Sequence, residues 1–452
     1  MGASHSLQVD TSVKGILLLT LPISLAKLVP ELNYLFNAVF LSQLGVKELG
    51  LVGLVGVYYL IFSAIGYGLN NALLAIMSRR AGENNRDAIF LTLWHGLVVG
   101  TILALVTIVF TYFCIEHILI ATGVDEAGAK MAAEFLKIRM WGLLFLYAYQ
   151  MQNAYLVSLQ RSKFLLFGAL IASVSNVYLD YAMIFGHFGF PEMGFNGAAY
   201  ASVISEILGM VTVFAVIYFS KISIKEGIKY HWEIQKKTIS LVLRQAWPLM
   251  GQYAISTFAW WIFFILVNRN YNETEQGVSQ VMRNLFGLSG IFTWAFGSST
   301  NTIISNIIGQ GKINEIRRTL FRIMAISGIG ISFFIAVINI WPSVFLGFYG
   351  LGEDFLAEAI GPLRVVTIAM LILGVGVILL NAVIATGKTI VVFWIEFAGI
   401  FSYLLYVFLV IEIWKMDHLT AWMSEWVYWS VMAFLSIVYL WKGKWKKSLS
   451  ID

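Results

Sequence analysis

Charge is what this chain has least of. Only 12% of its 452 residues are Asp, Glu, Lys or Arg, against about 25% in an ordinary soluble domain. A water-facing globular surface cannot be built from so little charge, and 59% of the residues are hydrophobic. Cysteine is scarcer still. Cys114 stands alone, which excludes a disulfide framework and a thiolate metal site. The six histidines (His5, His95, His117, His187, His231 and His418) show no ligand-like spacing. Long polar stretches are missing too: the longest runs from Lys221 to Lys237, too short for a soluble domain. Gly387-Lys388-Thr389 ends like a phosphate loop, but Ala382 stands where the first glycine is needed, so no nucleotide or other cofactor is expected.

What the chain does contain is apolar runs of about 20 to 30 residues, recurring to its end. A crossing of the bilayer takes about 20 residues, and about twelve such runs can be counted. The expectation is an all-α integral membrane protein. The first run has no small-residue cleavage site and is too long for a signal peptide, so it reads as an uncleaved first helix. The formal charge of +5 does not point to nucleic acid, because the basic residues sit on alternate connections. With Lys14 inside, the same side collects Arg79, Arg80 and Arg86, then Arg161 and Lys163, then Lys312, Arg317 and Arg318, then the tail from Lys442 to Lys447. That is the positive-inside pattern. It predicts both termini in the cytoplasm, in the inner membrane of a bacterium.

Two halves repeat one another. Pro22 and Pro248 are offset by about 226 residues, Asn153-Ala154 and Asn381-Ala382 by about 228, Gly68 and Gly297 by about 229. An even number of helices per copy gives both copies one orientation, as parallel repeats. The reading is a six-helix lobe over 1–220, a cytoplasmic linker over 221–237, and a second six-helix lobe over 238–452.

Against this apolar background a few polar groups stand out. Asp180 follows Asn176 by one helical turn in the fifth crossing, so the two share a face. An ionisable residue at membrane depth costs roughly 2.5 to 3.5 kcal/mol on insertion scales, which makes it a functional candidate. The sixth crossing opens with small residues, Gly194, Gly197, Ala198, Ala199 and Ala201, which permit close packing and would bring Ser202 near Asp180. Glu206 lies one turn beyond Ser202; it either joins the site or merely pins two helices. In the first crossing Lys27 and Glu31 straddle Pro30, and Pro22 adds a second break in the hydrogen-bond ladder. Glu396, Arg283 and Arg364 are the intramembrane charges of the second half.

At this point a resemblance becomes specific. Leu21-Pro22-Ile23, the stretch from Asn37 to Gly45, Gly194 to Ser202, Gly309-Gln310-Gly311 and Ala385-Thr386-Gly387-Lys388 together resemble the multidrug and toxic compound extrusion (MATE) family, of the wider flippase superfamily, in its prokaryotic type. The resemblance implies two six-helix lobes with a central cleft, exporting amphiphilic, cationic small molecules in exchange for inward Na⁺ or H⁺. It also implies a cation site in the first lobe, whose fifth-helix Asn and Asp fall on Asn176 and Asp180 and whose hydroxyl falls on Ser202. The family's first-helix Asp falls on Asn37, which can ligate a cation but cannot carry a proton. Some members place an acid on the seventh helix, where this chain has Ser256.

An ion-coupled antiporter, working as a monomer on a small-molecule substrate and binding no metal beyond Na⁺ at Asp180, is the leading expectation. A lipid-linked oligosaccharide flippase would want a cationic cavity, and Arg283 and Arg364 are few. An integral-membrane lipid-modifying enzyme would want an acid or histidine cluster at one interface. A channel would not need a duplicated bundle.

Overall fold

A computed structural model describes residues 7–44, 46–121, 124–219, 234–347 and 352–447; within these, the side chains of 32–39 and a few others lie outside the description. The backbone is helical throughout, as lipid demands of a chain that must satisfy its own N–H and C=O groups. The first half supplies α1 (Val13–Ser42), α2 (Val46–Gly82), α3 (Arg86–Ala121), the pair α4 (Glu126–Arg139) and α5 (Gly142–Ser158), α6 (Leu165–Phe185) and α7 (Gly194–Phe219). The second supplies α8 (Lys236–Asn270), α9 (Glu273–Gly309), α10 (Ile316–Ile340), the short α11 (Pro342–Gly347), α12 (Gly352–Ala385), α13 (Thr389–Phe408), and the pair α14 (His418–Trp422) and α15 (Ser424–Lys442). Most of the linker read at 221–237 lies outside the described residues.

Ten of the described helices are long and apolar enough to cross a membrane. The other two crossings explain themselves. The fourth is broken at Met140-Trp141 into α4 and α5. The eighth, α9, is polar, but Ser289, Thr293, Thr300, Asn301 and Asn306 are buried in protein rather than turned to lipid. Several of its hydroxyls bond back one turn, as Thr300 does to the Phe296 carbonyl at 2.8 Å. Helix ends carry local stop signals. Asp125 caps α4 by accepting from the Gly128 N–H, and Gly186 ends α6 at a φ of 72°, where a side chain would be strained.

The chain divides into two compact units, and the division does not fall in the linker. One unit is Met1–Leu7 with Leu21–Met250; the other is Gln8–Thr20 with Gly251–Asp452. Thus α1 and α8 are each shared: the start of α1 belongs to the second unit and the start of α8 to the first. Both changes of allegiance occur within two residues of a proline, Pro22 or Pro248. Within the second unit, Thr20 donates to the Ser299 hydroxyl at 2.8 Å, and Asn306 accepts from the Val9 N–H at 3.0 Å. Within the first, His95 Nε2 accepts from the Gln235 N–H at 2.8 Å, just ahead of α8.

Candidate functional site

In the first unit, α6 and α7 lie against one another at close range. A Cβ on Gly197 would fall 2.6 Å from the Met183 carbonyl oxygen, so only glycine permits the approach. Leu179 and Met183 pack with Ala201 in one buried cluster. Asp180 is completely buried and Asn176 nearly so, while Ser202 is half-buried. Neither carboxylate oxygen of Asp180 has a hydrogen-bond partner among the described residues, and no bond joins it to Ser202. An anion held out of water without a donor costs several kcal/mol, and a proton or a bound cation would relieve that cost. Asn37 lies on α1, but its side chain is outside the described residues.

Glu206 behaves differently. Arg139 at the end of α4 grips it with two parallel bonds, Nη2 to Oε1 at 2.7 Å and Nη1 to Oε2 at 2.9 Å. Tyr59 of α2 donates to Oε1 at 2.8 Å, and its ring centroid lies 3.6 Å from the guanidinium carbon. A Cβ on Gly142 would come within 2.0 Å of Glu206 Oε2 and 2.4 Å of Arg139 Nη1. The pair therefore rests on a glycine, at the break in the fourth crossing. Glu206 is charge-neutralised and ties α2, α4 and α7 together. Glu31 is exposed, Lys27 lies over the Tyr67 ring at 5.5 Å, and no hydrogen bond joins either to Asp180 among the described residues. Pro22 and Pro30 both lie inside a continuous α1.

Among its described residues the second unit buries two carboxylates, Glu396 on α13 and Glu425 on α15. Glu396 accepts from Gln252 Nε2 at 3.0 Å and from the hydroxyls of Ser256 and Tyr428. The seventh-helix position that carries serine here is thus served by an acid from α13. Glu425 accepts from the indoles of Trp260 at 2.9 Å and Trp429 at 3.1 Å. No cationic side chain pairs with either among the described residues. Sequence reading named Glu396 but passed over Glu425, which looks like an ordinary acid in a first helical turn; the flanking Trp426 and Trp429 were the available signal. Arg283 lies over Phe264 at 5.4 Å and Arg364 is exposed.

The family model called MatE matches residues 22–182 and 248–409, one copy in each half. The chain belongs to the MatE family. Among curated relatives of this MatE chain, "Probable multidrug resistance protein NorM" of Rhizobium meliloti is 29% identical over 177 residues, 38% of this chain and 37% of the relative. The protein of the same name in Thermotoga maritima is 21% identical over 96% of this chain and 93% of its own. Several relatives, including the first, are thus matched over less than half their length. Among solved structures, an outward-facing multidrug resistance MATE family transporter superposes with a TM-score of 0.88 at 16% identity, covering 99% of both chains. A transporter of the MOP superfamily from Pyrococcus furiosus gives 0.86 at 16% identity and the same coverage. At such identities the superpositions establish the MatE fold alone.

Proposed function

We propose that this MatE chain is a secondary active exporter, exchanging Na⁺ or H⁺ for amphiphilic, cationic small molecules by alternating access. The observation that carries the reading is Asp180: a carboxylate buried in a membrane helix with no hydrogen-bond donor among the described residues. Such a group is stable only when neutralised, and its neutralisation is what an ion gradient can drive. Asn176, Ser202 and Asn37 are the further oxygens of the cation site. Glu396 supplies a second, separately housed carboxylate. The names of the relatives, multidrug resistance proteins, support a small-molecule substrate, and the ten membrane-length helices support a multi-pass protein. The basic residues on alternate connections favour both termini inside the bacterial inner membrane, and on this reading the chain acts as a monomer. Pro22, beside the point where α1 passes from one unit to the other, and Pro30 favour bending of that helix during exchange.

The test is uptake of a fluorescent organic cation into inside-out vesicles, with ΔpH and ΔNa⁺ imposed separately. One gradient should drive uptake by the natural chain and fail with Asp180→Asn. Uptake that ignores both gradients, or survives unchanged in Asp180→Asn, would sink the reading.

A further inference from the structure

We infer that the outer ends of α9, α12 and α14 form a binding site for a divalent transition metal of the Zn²⁺ class, built from Glu275, Glu358 and His418. His418 Nδ1 lies 3.1 Å from Glu275 Oε1 and 4.0 Å from Glu358 Oε1. The three donor atoms all fall within 4.8 Å of one another. Two ligands about 2.1 Å from a tetrahedral ion are about 3.4 Å apart, so an ion fits once the exposed Glu358 side chain closes in by roughly an ångström. One imidazole nitrogen and two carboxylate oxygens suit Zn²⁺ and its neighbours better than Mg²⁺ or Ca²⁺, which prefer all-oxygen shells.

The site is held in place before any ion arrives. Glu275 spends its other oxygen, Oε2, on the Asn272 N–H at 3.0 Å, within the capping box that starts α9, which aims Oε1 at the imidazole. The His418 side chain is only 6% exposed, and the Tyr271 ring meets it edge-on at 6.2 Å. Its far nitrogen, Nε2, is buried without a partner among the described residues. The nitrogen that faces the two acids, Nδ1, is thus the one available to an ion. The remaining ligand, Glu358, is 44% exposed on its side chain, which gives an ion a way in and leaves a coordination position for water. All three residues belong to the second unit, and none takes part in the Asp180, Glu396 or Glu425 sites.

The test is binding, so it stands apart from transport. The full chain, purified in detergent and stripped with chelator, is titrated with ZnCl₂ by calorimetry, and thermal unfolding is followed with and without the metal. One saturable Zn²⁺ per chain at micromolar free metal is expected, with a rise in unfolding temperature that MgCl₂ does not reproduce. Glu358→Gln changes a half-exposed side chain and leaves the fold intact; it should weaken binding at least about tenfold, the scale seen when even an outer partner of a metal ligand is lost. His418→Gln should abolish it. Absence of saturable Zn²⁺ binding, equal response to Mg²⁺, or unchanged affinity in Glu358→Gln would each overturn the assignment and leave a histidine–carboxylate ion pair in its place.

Discussion

At the scale of single residues, the three kinds of acid in this chain are separated by what surrounds them. Glu206 has a cation, Glu396 and Glu425 have neutral donors, and neither oxygen of Asp180 has a hydrogen-bond partner among the described residues. Replacing Asp180 by Asn keeps its shape and removes only the ability to carry charge; ion-driven efflux should fall to background while the amount of inserted protein stays the same. Retained coupling would take Asp180 out of the mechanism. Gly142 offers a separate check on Glu206. Gly142→Ala puts a methyl where Glu206 and Arg139 already are, and overpacking of this kind costs about 1 to 3 kcal/mol. Its unfolding temperature should drop clearly; an unchanged value would mean that the ion pair is dispensable. Asp180 was legible in the sequence because a lone acid in an apolar helix has a recognisable cost. The pairing of Glu206 was not, since Arg139 lies 67 residues away in the one crossing of the first half that is broken. The histidine–glutamate cluster was hidden for the same reason, its members being spread over three helices.

At the scale of helices, about twelve apolar runs were countable in the sequence, and ten of the described helices are long and apolar enough to cross, because lipid-facing length is written directly in composition. Hydropathy revealed α9 less well, since burial in protein lets a membrane helix be polar. Prolines were visible, but their place at the boundary between units was not. Pro30→Ala should restore a backbone donor to α1 and stiffen it, slowing exchange while ion affinity stays close to the natural value. Affinity and turnover must be measured in one preparation; equal loss of both would mean that Pro30 shapes the site, and full turnover would mean that the proline is incidental. Outside the membrane, Asp417 caps α14 by accepting from the Thr420 N–H at 3.0 Å. The Thr420 hydroxyl first of all, opposed by burial and helped by the Thr420 backbone N–H, holds its carboxyl below the usual range. A depressed folded value means stability that is present above the ordinary carboxylate pKa and lost as pH falls through the lower, folded one. Asp417→Ala should therefore cost about 1 kcal/mol at neutral pH, and the gap from the natural chain should narrow below about pH 4. Unfolding temperatures that differ equally at both pH values would exclude the cap as the cause.

At the scale of the whole molecule, the repeat was readable from offsets of about 226 to 229 residues, yet the two copies have diverged in chemistry. The positions matching Asn176 and Asp180 in the second half are Leu404 and Phe408, while Glu396 and Glu425 are buried elsewhere in that unit. The seams at Pro22 and Pro248 could not be read from the sequence, because a helix shared by two units has the same local pattern as one that is not. If Asp180 in the first unit and Glu396 in the second each carry an ion in every cycle, the stoichiometry is measurable. In vesicles with the membrane potential clamped at zero, accumulation stops when the substrate gradient equals the ion gradient raised to the number of ions exchanged. Two working sites predict a second-power dependence for the natural chain. Glu396→Gln keeps the contacts of shape but removes one charge carrier, so the dependence should fall to the first power, with transport still ion-driven through Asp180. A natural chain that already follows the first power, or a Glu396→Gln variant that keeps the second, would show that the second unit buries its acids for structure alone.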